Sequence, residues 1–143
     1  MTEPKPFSEI TAEQRAFAEN ALHTLAFSKL LGMQLLDLRK GVAVISIKMR
    51  DDLRQPSGVL HGGVTASLID TAMAFAVRTH LGLTEATATI DLTVHYLRPH
   101  LEGTFTCTAK VVRAGKRIFT VSADVVNEHG KHIATAVSTY TKV

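Results

Sequence analysis

A chain of 143 residues, 45% hydrophobic and 20% charged, is sized for one globular domain with a single core, which excludes a disordered chain. No apolar run approaches the roughly 18 residues needed to cross a bilayer, and Met1-Thr2-Glu3-Pro4-Lys5-Pro6 lacks the basic and apolar regions of a secretory signal, so a cytoplasmic protein off the membrane is expected. The formal charge of +3 comes from scattered basic residues not interleaved with aromatics, which argues against nucleic acid and suits a phosphate-bearing ligand.

In chain order, the proline-bearing tail leads into Thr11-Ala12-Glu13-Gln14, a capping box in which Thr11 satisfies a free helical N–H and Gln14 reaches back. Phe17, Leu22 and Leu25 recur at helical intervals, and Gly32 is expected to stop that helix. Residues 31–38 and 42–49 look like a hairpin turning at Lys40-Gly41. Residues 50–58 carry Asp51, Asp52, Gln55, Pro56 and Gly58, a polar loop with turn residues. From 61 to 81, Val64, Ala66, Leu68, Ile69, Ala72, Met73, Ala74, Phe75, Ala76 and Val77 leave almost no polar face, the pattern of a buried helix. Strands follow over 88–98, 104–113, 117–127 and 133–142. In the first, Ile90, Leu92, Val94 and Tyr96 alternate with Thr89, Asp91, Thr93 and His95. Gly103, Ala114-Gly115 and His129-Gly130 mark short turns, so the last three strands form a meander. A long buried helix with an antiparallel sheet large enough to wrap it is an α+β architecture. Residues 1–30 form the tail and first helix, and 31–143 the body of a single domain.

The one cysteine, Cys107, shares a strand face with Phe105 and Ala109 and reads as a small core residue, not as a nucleophile. Asp70 is the odd residue of the long helix, because an ionised carboxylate among apolar neighbours is costly unless compensated. It either pairs with a cation along a polar seam or serves as nucleophile or general base in a partly desolvated pocket. Gly62-Gly63 opens the same helix. The pair either serves turn geometry alone or bares backbone N–H groups at the positive end of the dipole, where they can stabilise an oxyanion. Eight residues separate Gly62 from Asp70, about 12 Å along one helix, so one carbonyl cannot touch both. If the two serve one site, two copies of the helix run antiparallel across a two-fold axis, and the protein is an obligate dimer with two equivalent sites.

The run Gln55-Pro56-Ser57-Gly58-Val59-Leu60-His61-Gly62-Gly63-Val64-Thr65-Ala66-Ser67-Leu68-Ile69-Asp70 resembles the signature of the hotdog-fold acyl-CoA thioesterases, in particular the PaaI-like and 4-hydroxybenzoyl-CoA group. The run Thr89-Ile90-Asp91-Leu92-Thr93-Val94-His95-Tyr96-Leu97-Arg98-Pro99 resembles that group's strand after the helix. The resemblance implies a hotdog fold, a sheet wrapped around a central helix, over 31–143. It implies hydrolysis of a short- or medium-chain or aryl acyl-CoA. Asp70 would attack the thioester or activate water, the Gly62 N–H would polarise the carbonyl, and Gln55 would orient substrate or water. His61 and Gly63 would shape the loop around them. The group's accessory hydroxyl, absent one turn after the carboxylate where Ala74 stands, would fall to Thr89. Arg113, Lys116 and Arg117 around the Ala114-Gly115 turn are candidate contacts for the CoA phosphates, or else a solvated hairpin tip. Neither metal nor cofactor is expected, since the seven histidines show no ligand spacing and no glycine-rich phosphate loop follows a strand. The resemblance further implies a homodimer that pairs into a homotetramer through back-to-back or face-to-face sheets.

Two other functions share this framework. A hotdog hydratase or dehydratase would use His61 and Asp70 as an acid/base pair, although nine helical positions hold them over about 13 Å apart within one chain. A non-catalytic acyl-CoA binding protein would need no reactive carboxylate.

Overall fold

The computed structural model describes residues 10–143; the start of the proline-bearing tail lies outside them. Helix α1 spans Ala12–Thr24, and its capping box forms as the sequence anticipates. Thr11 Oγ1 accepts from the Gln14 N–H at 3.1 Å, and Gln14 Oε1 accepts from the Thr11 N–H at 2.8 Å. The helix does not continue to Gly32. It breaks at Leu25 (φ −64°, ψ 119°), and a separate helix α2, Ala26–Leu31, follows. Packing explains the break. Ala18 and Leu22 are buried on α1, Ser28 and Leu31 on α2. The six residues from Leu22 to Ser28 make about one and two-thirds turns, so an unbroken helix would aim Ser28 away from the core. Gly32, at φ 72°, then ends α2 in the left-handed conformation.

Strand β1 therefore starts later than expected, as Gln34–Arg39, and pairs with β2, Val42–Lys48. A 3-10 turn at Asp51–Leu53 precedes the long helix α3, Gly62–Leu81. Strands β3 (Thr87–Tyr96), β4 (Thr104–Ala114), β5 (Ile118–Val126) and β6 (His132–Lys142) complete the described chain. They form one antiparallel sheet in the order β1-β2-β4-β5-β6-β3, with β4, β5 and β6 as the expected meander. Helix α3 packs against all six strands. Ile45 and Ile47 of β2, Phe105 and Cys107 of β4, Val121 and Val125 of β5, and Leu68, Ile69, Met73 and Val77 of α3 are all fully buried in one core. Each such side chain contributes roughly 1.5–3 kcal/mol relative to an exposed position. This is the α+β, helix-in-sheet arrangement expected of a hotdog fold. Burial pushes the Cys107 thiol up, away from the reactive thiolate, in keeping with its reading as core. No helix among the described residues is long and apolar enough to cross a membrane.

Two features depart from the simple pattern. The register of β3 on β6 slips between Thr89 and Asp91, leaving Ile90 as a bulge. The bulge inverts the alternation: Leu92 and Val94 pack against the core beyond it, whereas before it the exposed Thr89 turns its hydroxyl to Asp70. Helix α3, moreover, is not covered on every side. Gly62, Ala66, Asp70 and Ala74, one per turn, form a half-exposed stripe along it.

Candidate active site

Residues 54–61 form a pinned loop ahead of α3. Arg54 and Leu60 are bridged, the Gln55 N–H donates to Val59 O at 2.9 Å, and the Leu60 N–H donates to His100 O at 2.8 Å. The Arg54 guanidinium donates to Gly58 O, to Leu101 O and to Glu102 Oε1 at 2.7–2.8 Å. These bonds fix where the loop delivers Gln55 and where the helix begins.

His61 is the N-cap of α3. Its Nδ1 accepts the Gly63 N–H at 2.8 Å, so in that bond the neutral ring carries its proton on Nε2. The glycine pair is thereby divided. Gly63's N–H is committed to the cap, whereas that of Gly62 takes no hydrogen bond among the described residues. It points out of the positive end of the helix. Gly62 also has a steric reason to be glycine. A Cβ there would sit 3.2 Å from the Tyr96 ring, whose hydroxyl donates to Gly62 O at 2.7 Å. Gln55, His61, Gly62 and Gly63 line one cavity of about 440 Å³, together with Tyr96, Arg98, His100 and the apolar Leu60, Leu97 and Ile133.

Asp70 is not in that cavity. It lies two turns further along the unbroken α3, so the carboxylate and Gly62 stay as far apart as the helical rise requires. His61 is likewise separated from Asp70, and the acid/base pair that a hydratase would need does not form within one chain. Asp70 Oδ1 accepts from Thr89 Oγ1 at 2.8 Å and from the hydroxyl of Tyr140. The same phenol lies 2.7 Å from the backbone oxygen of Asp70. No ion pair to Asp70 occurs among the described residues. The Ile90 bulge is what brings Thr89, a candidate from the sequence, against Asp70. Tyr140 is a residue that sequence reasoning missed. The available signal was a tyrosine on the inward phase of β6, because a buried phenol needs a hydrogen-bond partner.

Arg113, Lys116 and Arg117 are exposed at and around the β4–β5 turn. The pairing row Thr89, Tyr140, Phe119 and Ala114 places this turn at the Asp70 end of the sheet, away from the Gln55 cavity. The cation lining the cavity is Arg98. No cluster of three or more His, Cys, Asp or Glu suited to a metal occurs among the described residues.

Comparison with known proteins places the fold in a family. Residues 57–134, from the loop through α3 into β6, match the family model of the thioesterase superfamily. The medium/long-chain acyl-CoA thioesterase YigI of Escherichia coli is 31% identical, over 92% of this chain and 96% of that protein. The acyl-coenzyme A thioesterase PaaI of Escherichia coli is 32% identical, over 76% of each chain. The solved structure of the PaaI protein from the Escherichia coli phenylacetic acid degradation operon superposes with a TM-score of 0.84, at 26% identity, covering 92% of this chain and 94% of that one.

Proposed function

The chain belongs to the thioesterase superfamily, a hotdog-fold thioester hydrolase, and from that premise we propose that it cleaves acyl-CoA to free acid and CoA in a site shared between two subunits. The observation that carries the reading is the carboxylate of Asp70, half-buried with both hydroxyl bonds gathered on Oδ1. Oδ2 takes neither bond and is left for chemistry.

Asp70 supports two courses. As a nucleophile, Oδ2 bonds to the thioester carbon, the C–S bond breaks, the CoA thiolate leaves and is protonated, and water then opens the anhydride. As a general base, the carboxylate takes a proton from water while the water oxygen bonds to the carbonyl carbon, and that proton passes to the departing sulfur. Either course gathers negative charge on the carbonyl oxygen, which the Gly62 N–H at a helix N-terminus is suited to receive. Gln55, at the same cavity, orients the thioester or the water.

A homodimer brings these parts together. The half-exposed stripe Gly62, Ala66, Asp70, Ala74 is built of small residues and one carboxylate. With a two-fold axis at Ala66, an antiparallel copy sets Asp70 against the partner subunit's Gly62, and the small side chain at the crossing admits close approach. Strand β3, ten residues long at the sheet edge, offers unpaired backbone groups for the same association. Arg113, Lys116 and Arg117 travel with Asp70 and supply cations for the CoA phosphates, while Arg98 supplies one from the cavity side. Pairing of such dimers into a homotetramer is consistent with the remaining open sheet face.

The acyl group is a medium or long chain, as in the name of YigI, or a short-chain or aryl group, as the sequence resemblance implies. The experiment is thiol release from a panel of acyl-CoAs by the wild type and by Asp70→Asn. The variant should fold and release no thiol; wild-type turnover in it would sink the mechanism.

A further inference from the structure

We propose that Tyr140 is a positioning residue for the hydrolysis, fixing the Asp70 carboxylate so that Oδ2, and not Oδ1, meets the reacting partner. The inference rests on Asp70 as the catalytic carboxylate and goes beyond it by naming the oxygen that reacts and the group that selects it.

Tyr140 is 1% exposed, and its hydroxyl contacts both the backbone oxygen and the carboxylate of Asp70. A phenol has one proton, so the two contacts are a single three-centre bond that ties the side chain to its own main chain. That tie restrains the carboxylate's rotation, which an aspartate on a half-exposed helix face otherwise retains. Thr89 adds a second donor to the same oxygen. An ionised carboxylate oxygen has about two lone-pair directions, so Oδ1 is saturated and Oδ2 is the oxygen with capacity to attack or to accept a proton.

The fold builds this selection from neighbouring strands. Thr89 and Tyr140 are directly paired across β3 and β6, and the Ile90 bulge is what turns Thr89 toward the helix. Burial, and the negative charge of Asp70 beside it, push the Tyr140 phenol up from its ordinary range, so it stays protonated and remains a donor. The Tyr140 ring lies in the core, one strand from the fully buried Phe119. No other side-chain hydroxyl or N–H among the described residues donates to Asp70.

The test compares Tyr140→Phe, Thr89→Val, the double variant and Asp70→Asn by thiol release from the best acyl-CoA of the panel, with thermal unfolding of each. Tyr140→Phe keeps the ring and removes only the hydroxyl. Its kcat should fall roughly ten- to hundredfold with KM unchanged, the value of a hydrogen bond to a charged group. Thr89→Val should lower kcat in the same way without disturbing the core, and so tests the arrangement even if the tyrosine variant does not fold. The double variant should lose more than the product of the single losses, since either hydroxyl alone still marks Oδ1. Wild-type kcat in folded Tyr140→Phe, or in Thr89→Val, beside an inactive Asp70→Asn would overturn this inference and leave the catalytic aspartate standing. A Tyr140→Phe loss that appears in KM instead of kcat would overturn it too. An active Asp70→Asn would overturn both.

Discussion

His61 offers a clean separation of structure from chemistry, because its ring does an identifiable job. It holds the first turn of α3 by accepting the Gly63 N–H at 2.8 Å, from the extended backbone conformation (φ −64°, ψ 127°) usual at an N-cap. His61→Ala deletes that acceptor. Loss of a side-chain cap costs about 1 kcal/mol, and in a domain of this size that lowers Tm by roughly 3–4 °C. His61→Asn replaces one N-cap acceptor by another and should restore most of the loss. Thiol release by the asparagine variant should then stay near wild type, because the Gly62 N–H keeps its place. An acid or base would behave otherwise. Its removal lowers kcat by roughly a hundred- to ten-thousandfold whatever replaces it. A His61→Asn protein with wild-type Tm and a hundredfold slower reaction would refute the assignment of His61 as a cap.

Burial and backbone conformation support two further predictions. His80 lies beside Phe119, and burial, with Lys40 nearby, lowers its affinity for a proton below the ordinary 6.5. In acid the unfolded chain therefore takes up the proton more readily than the folded one. This contribution to stability is complete above pH 6.5 and is lost as the pH falls through and below that value. Tm should drop over that interval, and His80→Phe should flatten the slope; an unchanged slope contradicts the assignment. Gly103 has φ +85°, and a Cβ there would lie 2.5 Å from Glu128 Oε1, which accepts the Thr104 N–H. Gly103→Ala should be destabilised by roughly 1–2 kcal/mol of left-handed strain and by loss of that hydrogen bond as well. Gly130→Ala, at φ +73° with nothing within 4 Å, should be destabilised by the strain alone; equal losses in urea unfolding would refute the steric part.

Much of this molecule is written in local patterns. The capping box at Thr11, the hairpin at Gly41 and the meander over β4–β6 each depend on neighbours within a few residues, and each forms as read. What escaped depends on distant packing. No glycine or proline marks the helix break at Leu25; it is imposed by where the core lies relative to Ser28 and Leu31. Simple alternation puts Thr89 on the same face as Asp91, and only the one-residue bulge at Ile90 moves it to Asp70. Tyr140 and Asp70 are 70 residues apart in the chain, so their bond has no local signature. For the site itself, the helical rise already separates Asp70 from Gly62, and the cavity holds Gln55 and Gly62 without Asp70.

That separation makes the shared site directly measurable. With Gln55→Ala first shown to be strongly impaired as a homodimer, an Asp70→Asn subunit and a Gln55→Ala subunit are mixed, dissociated and reassembled, and thiol release is followed. In a shared site, every mixed dimer carries one site with Asp70 from one subunit and Gln55 from the other, both intact. Half of a random assembly is mixed, so about a quarter of wild-type activity should return. If verified mixed dimers stay inactive, Asp70 and Gln55 do not serve one site across the two-fold, and catalysis at a shared site is contradicted.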